Sequence, residues 1–369
     1  MNGSIDVYSK TSKDLLYDVS LPLEAGLDSE GKAIRMTTNI GKVRNTGVEV
    51  ALNGIIMKKK DFEWSAGLTF AHNKNEVKDI NGVDSRYIST TKYGDIAGVV
   101  GSLFVGESVN NVFAYTYDGI VSDKMMTLTD KQKELYGEGA TDQMRECDYY
   151  YKVYKWSEGQ PKMTDRNQDG NIDDDDRSVI SSDPDVTGSF NTNIRWKGWD
   201  FGFSLYARLG GKVYSAFMQQ YIDYGDRGRQ RLNLDYYIPA GTLIDCDGMN
   251  ADGTYINPVY QQSAHYGEYP FPNNGSSDGA VGNQTLKYNN AASIVSASYM
   301  KVQNITLGYT FPKKWLSPWG CSHLRLYFTV TNPICFSKFK GFDPEWASAT
   351  LANDGPSTIT YQLGASIKF

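Results

Sequence analysis

The last nine residues impose the tightest constraint on the fold. From Tyr361, the side chains of Tyr361, Leu363, Ala365, Ile367 and Phe369 alternate with Gln362, Gly364, Ser366 and Lys368, and the sequence ends on the aromatic. Successive side chains of a strand point to opposite faces, so this run presents one apolar and one polar face. A strand buried on both sides would be apolar throughout. The apolar face must meet either a second sheet or lipid, and the same alternation is expected upstream.

It recurs along the chain. Ile5 and Val7 stand against Asp6 and Tyr8 within Ser4 to Ser12, and Val48, Val50 and Leu52 alternate in a strand from about Asn39 to Met57. Phe62, Trp64, Ala66, Leu68, Phe70 and His72 share one face, with Glu63, Ser65, Gly67, Thr69 and Ala71 on the other. Phe190, Thr192, Ile194 and Trp196 are followed, across Lys197-Gly198, by Trp199, Phe201, Phe203, Leu205, Ala207 and Leu209. Ile305, Leu307, Tyr309 and Phe311, then Leu324, Leu326, Phe328 and Val330, complete a set of eight strands with the terminal one.

The connections between these strands alternate in length. Short turns fall near 58–61, 197–199 and 312–321, and long segments occupy about 13–39, 75–184, 211–296 and 333–355. Antiparallel outer-membrane barrels have this asymmetry, with short periplasmic turns and long extracellular loops. The aromatics Trp196, Trp199, Phe311, Trp315 and Trp319 gather at the short-turn ends, as in an interfacial girdle. No run of about 18 apolar residues exists, which excludes a membrane-spanning helix but not strands of about 10 alternating residues. The expected fold is all-β: a portion of an antiparallel transmembrane β-barrel with long extracellular loops at 75–184 and 211–296. The alternative is a secreted, calcium-stabilised β-sandwich that binds glycans, in which a second sheet covers the apolar faces.

Composition narrows the function. A net charge of −6 over 369 residues argues against a nucleic-acid binder, since phosphate binding needs clustered Lys and Arg. Met1 to Tyr8 has neither the basic start nor the apolar core of a signal peptide. Cys147, Cys246, Cys321 and Cys335 show no zinc or redox spacing. His72, His265 and His323 are isolated and no nucleophile motif is present, so the chain reads as no enzyme. A glycosidase would need a specific carboxylate pair, and acids are too frequent here for any pair to stand out. Thr129 to Gly137 reads as a short helix opened by a capping Thr. The loop tyrosines Tyr214, Tyr221, Tyr224, Tyr236, Tyr237, Tyr255 and Tyr260 could stack on sugar rings or simply pack the loops.

One stretch carries metal chemistry. Asp165, Asn167 and Asp169 at positions 1, 3 and 5, Gly170 at 6, Asn171 offering a carbonyl at 7, Ile172 at 8 and Asp176 at 12 match an EF-type calcium loop. Hard oxygen ligands in this order wrap Ca²⁺, and Gly permits the sharp turn. Asp176 is shorter than the usual bidentate Glu and no helix pattern flanks the loop, so a solvated acidic turn is the competing reading. Any calcium would be structural.

Four segments carry a family resemblance. Asn39-Ile40-Gly41-Lys42-Val43-Arg44-Asn45-Thr46-Gly47-Val48-Glu49 resembles the NIGxxxNxGxE segment of the SusC/RagA-like TonB-dependent transporters of Bacteroidota outer membranes. Thr164 to Asp173 is similar to that family's DxNxDGxI stretch, and Ser298 to Tyr309 to its penultimate-hairpin signature. Gly341-Phe342-Asp343-Pro344-Glu345 is similar to its last loop. The resemblance implies a barrel of about 22 strands, of which this chain would be the C-terminal eight, with signal peptide and plug domain absent. It further implies import of oligosaccharides or peptides across the outer membrane, a SusD-like surface lipoprotein capping the loops, and drive from TonB through the plug.

Overall fold

Eight long strands form one antiparallel sheet in which sequence order is spatial order. They are β1 (Asn2–Lys13), β2 (Lys42–Lys59), β3 (Phe62–Asp79), β4 (Val186–Trp196), β5 (Trp199–Leu209), β6 (Tyr299–Thr310), β7 (His323–Ser337) and β8 (Thr360–Lys368). The computed structural model describes residues 1–20, 35–39, 41–80, 85–86, 99–100, 103–215, 234–270, 291–339, 343–346 and 357–369. The strands lie where the alternation places them, with β1 and β8 at the two edges.

The register turns the alternation into continuous rows. Trp64, Ile194, Phe201, Leu307, Phe328 and Leu363 are successive cross-strand partners, as are Phe62, Trp196, Trp199, Tyr309, Leu326 and Ala365. These rows make one apolar face that stays open: Leu363 is 82% exposed and Val7 80%. Among the described residues every other sheet has two or three strands, so no second large sheet covers it. An apolar face of this extent left to water would be an aggregation site, and lipid is the solvent that fits it. Thr192, the one hydroxyl in the Phe190–Trp196 apolar set, accepts from the Trp64 indole N–H at 2.8 Å and donates to the Ser65 carbonyl at 3.1 Å. Its polar groups are therefore satisfied on the apolar face.

The opposite face is hydrogen-bonded side chain to side chain. Thr69 meets Ser189 at 2.6 Å, Ser204 donates to Asn191 at 2.7 Å, and Thr306 meets Thr329 at 2.9 Å. Arg325 grips Asp200 with two bonds of 2.9 and 2.5 Å. This ion pair lies flat against the sheet because Gly308 is beneath it, where an added Cβ would sit 2.6 Å from an Asp200 oxygen.

The turns follow local rules. Lys197 and Gly198 both have positive φ, +47° and +93°, the two-residue hairpin geometry that matches strand twist. The third turn folds as a helical turn, Lys313–Leu316, and a 3₁₀ turn, Ser317–Trp319, closed by Gly320 at φ +71°. Two strands differ from expectation. β3 runs on to Asp79, because Asn73 to Asp79 pairs with Lys42 to Gly47 as a two-stranded extension that is polar on most positions and carries no periodic signal. β6 contains a bulge at Gln303, which shifts phase so that Val302 and Ile305 pair with Leu205 and Phe203 on the apolar face while Lys301 lies on the inner one.

Candidate functional site

The long connections build folded bodies. In the connection between β3 and β4, strands Tyr117–Ile120 and Pro161–Met163 pair, as do Met125–Thr127 and Gln143–Arg145. Helix α1 (Asp130–Tyr136) opens with a capping box in which the Thr129 hydroxyl accepts from Gln132 N and the Gln132 side chain accepts from Thr129 N, and it closes on Gly137, as expected. Helix α2 (Glu146–Tyr154) turns Tyr149 and Tyr150 into a core with Trp156, Met163, Val121 and Leu128. The Tyr150 and Trp156 rings stack at 5.4 Å. Burial pushes the Tyr149 phenol up to about 12 and the Tyr150 and Tyr154 phenols higher, so the cluster is uncharged.

Beside this core lies a half-buried ion pair. Glu146 accepts from Lys162 at 2.7 Å and from the Ser122 hydroxyl and amide at 2.7 and 2.8 Å. Burial alone would raise the Glu146 carboxyl, but Lys162 and Ser122 outweigh it and hold it below its usual range. Burial would lower the Lys162 ammonium, and Glu146 and Asp118 outweigh that and raise it.

The connection between β5 and β6 docks on this body. Tyr237 and Tyr266 both donate to Glu158, Tyr117 donates to the Glu268 carbonyl at 2.7 Å, and Ala291 enters the aromatic core. Tyr236 and Tyr237 are thus packing residues, while Tyr255 and Tyr260 stay 47% and 42% exposed on a two-part hairpin over 243–260. Tyr214 pairs in a short strand with Ile294. Tyr221 and Tyr224 lie outside the described residues.

Asp165, Asn167, Asp169, Asn171 and Asp176 do come together in one loop. Asn167 and Asp169 each accept from the backbone N–H two residues on, at 2.9 and 2.7 Å. Asp165 Oδ2 accepts from Gly170 N at 2.8 Å, while its Oδ1 is buried with no hydrogen-bond partner. Asp176 is fully buried, and its two oxygens accept from Arg166 N, Asn167 N and Asp173 N at 2.7, 3.3 and 2.9 Å. Helix α2 holds the loop from behind: Tyr154 donates to Asn171 Oδ1 at 3.2 Å and accepts from Ile172 N at 2.9 Å. Among the described residues no three His, Cys, Asp or Glu side chains converge as a metal site. A cation here would draw on the amide and carbonyl oxygens of Asn167 and Asn171 as well as on Asp165 and Asp169.

A second node escaped the sequence reading. Lys301, on the inner face of β6, donates to Asp343 at 3.1 Å, Glu345 at 2.6 Å and Ser357 at 3.3 Å, and the Lys301 and Asp343 side chains are 5% and 4% exposed. Two of the four resembling segments thus meet in a buried ion pair that pins the last long connection to the inner wall. Gly341 and Phe342 of that segment lie outside the described residues. A Lys between Met300 and Val302 in an alternating strand was the available signal, obscured by the bulge. Nearer β1, the inner face forms a depression of about 530 Å³ lined chiefly by Asn53, Ser65, Gly67, Asn191 and Asn193.

One face for lipid, one polar face, short turns at one end and folded loops at the other define a sector of transmembrane β-barrel wall. The comparisons with known proteins agree. The TonB-dependent receptor SusC of Bacteroides thetaiotaomicron is 25% identical over 378 aligned positions, all of this chain and 30% of the relative. TonB-dependent receptor P26 of Formosa agariphila is also 25% identical, across all of this chain and 32% of its own length. A solved structure of the RagAB peptide transporter superposes on all of this chain and 33% of the neighbour with a TM-score of 0.62 at 20% identity. The RagAB peptide importer in its closed-closed state gives 0.60 at 17%. No family model matches the chain. This chain is similar along its whole length to SusC and other TonB-dependent receptors, and it spans about a third of their length.

Proposed function

We propose that the chain forms barrel wall and external loops of a TonB-dependent outer-membrane importer for oligosaccharides or peptides, working with a SusD-like surface lipoprotein. The observation that carries this is the eight-stranded sheet with one lipid-type face, found in a chain whose whole length aligns with about 30% of SusC. Both edges of the sheet need partner strands, because unpaired backbone groups are not viable in hydrocarbon. The polar inner face then lines the import path, and TonB acts through a plug held inside the closed barrel.

The test is fractionation followed by disruption of the gene. The protein is expected in the outer-membrane fraction and its loss should abolish growth on one class of oligosaccharide or peptide. Presence in the outer membrane with no uptake defect on either class would refute import. The lipoprotein partnership is checked by co-purification, and recovery of the barrel without any lipoprotein would refute it.

We also propose a structural Ca²⁺ in the Asp165–Asp176 loop, held by Asp165, Asn167, Asp169 and the Asn171 carbonyl with Asp176 at the twelfth position. The buried, unbonded Asp165 Oδ1 supports it. Calorimetric titration should show Ca²⁺ binding that D165N removes, and identical heats for both proteins would exclude it.

A further inference from the structure

The short-turn rim carries charge opposite to the rest of the chain. In a protein of net charge −6, Lys58, Lys59, Lys60, Lys197, Lys313, Lys314 and Lys368 all fall on the three short turns or the last strand's end at the same side of the sheet. The turns are bonded to one another: Lys197 N donates to the Asp61 carbonyl at 3.1 Å and Thr310 N to the Gly198 carbonyl at 2.7 Å. Between the first two lies a cleft of about 390 Å³, with Lys58, Lys59, Lys60, Lys197, Trp196 and Trp199 in its lining.

Register places the cations beside the apolar face. Lys59 pairs with Phe62, Phe62 with Trp196 and Trp196 with Trp199, so Lys59 stands at the end of the lipid-facing aromatic row. Lys197 lies over the Trp196 ring at 5.6 Å from its centroid. Three acids line the cleft beside these cations. Glu63 is engaged by Lys58 at 3.3 Å and Arg195 at 3.7 Å, Asp200 by Arg325, and Asp61 follows Lys60 in the first turn, so the lysines and Arg195 outnumber them. Lys59, Lys60 and Lys197 form no ion pair with another described residue. Exposed Trp at the edge of an apolar band marks the depth of lipid headgroups, and free ammonium groups at that depth face phosphate.

We propose that this cleft binds the phosphate headgroup of an anionic glycerophospholipid in the membrane leaflet at the short-turn side, with Lys59, Lys60 and Lys197 on the phosphate and Trp196 and Trp199 against the glycerol and upper chains. The proposal rests on the reading of the sheet as membrane wall. Each lysine near an anionic surface is worth roughly five-fold in lipid affinity, so three set a ceiling of about a hundred-fold before screening.

The test uses protein extracted in detergent from its own membranes and native mass spectrometry with equimolar phosphatidylglycerol and phosphatidylcholine of matched chains. Retention of phosphatidylglycerol should exceed that of phosphatidylcholine by at least about ten-fold, and K59Q/K60Q/K197Q should bring the two to parity. Equal retention by the unmodified protein, or an unchanged preference in the triple variant, overturns the proposal. So does displacement of the lipid by millimolar inorganic phosphate, which would make the cleft a simple anion site. The single variant K60Q, in an exposed turn, gives a partial drop if the triple variant fails to fold, and no drop counts against the proposal. Failure to find the protein in the membrane fraction instead refutes the wall reading, which separates the two.

Discussion

Replacing Lys301 by Met should free the segment around Asp343 without unfolding the sheet. The Lys301 and Asp343 side chains are 5% and 4% exposed and 3.1 Å apart, whereas Glu345 is 35% exposed, so the Asp343 arm dominates the loss. Removing one partner of a buried pair costs about 3–5 kcal/mol, because the other charge stays buried without compensation. The half-exposed Glu345 arm adds no more than about 1 kcal/mol. Read as an opening equilibrium, about 3–5 kcal/mol is roughly two to four decades. Hydrogen exchange read by mass spectrometry should show that acceleration in peptides covering 343–346 and 357–360, with those of β3 and β4 unchanged. The double variant K301M/D343N should recover most of the protection, since an uncharged Asn pays far less desolvation. Unchanged exchange in K301M, or a double variant worse than the single, would refute the reasoning.

Other perturbations probe other links. T192V leaves the Trp64 indole N–H unbonded on the lipid face and should lower stability in vesicle-based urea titration by about 1–3 kcal/mol, with W64F/T192V close to neutral. G198A forces a Cβ to within 2.8 Å of the Thr310 carbonyl at φ +93° and should destabilise the β4–β5 hairpin by about 1–3 kcal/mol, read by the same titration. For the Glu146–Lys162 node the pH signs are opposite. Glu146 is held below its ordinary value of 4.5, so its stabilisation is full above that pH and is lost as pH falls through the lower folded value. Lys162 is held above 10.5, so its share is full below that pH and lost as pH rises through the folded value. Tryptophan fluorescence of the loop core should therefore hold steady between these limits and change first on the acid side, and E146Q should remove that acid step.

Strand positions were legible because period-2 alternation is enforced by two different solvents on the two faces. Beyond the lipid-facing band, in the Asn73 to Asp79 extension of β3, Val77 alone packs into a small cluster with Val43, Ile80 and Leu103 while most of its neighbours are polar, so the periodic signal vanishes although the pairing continues. The capping box at Thr129 was legible because it is local in sequence. Lys301 and Asp343 are 42 residues apart, and nothing local announces that they meet. The docking of Tyr237 and Tyr266 on Glu158 is equally non-local, which is why the tyrosines could be counted as ligand-stacking candidates but not divided into packed and exposed ones.

Among the described residues β1 and β8 have no neighbour on their outer side, and in a bilayer that has a cost. About half the backbone N–H and C=O groups of an edge strand point away from the sheet, and β1 alone has 12 residues. At several kcal/mol for each unbonded group in hydrocarbon, even the central residues of β1 and β8 would cost tens of kcal/mol, more than the roughly 5–15 kcal/mol by which a domain is stable. Burying Leu363, Phe328 and their row in lipid cannot offset that, since each such side chain contributes only about 1.5–3 kcal/mol. An open sheet of this kind is therefore stable in a bilayer only as an arc of a closed ring, with other strands hydrogen-bonded along β1 and β8. The relatives, about three times as long as the segment they share with this chain, have the length to close such a ring.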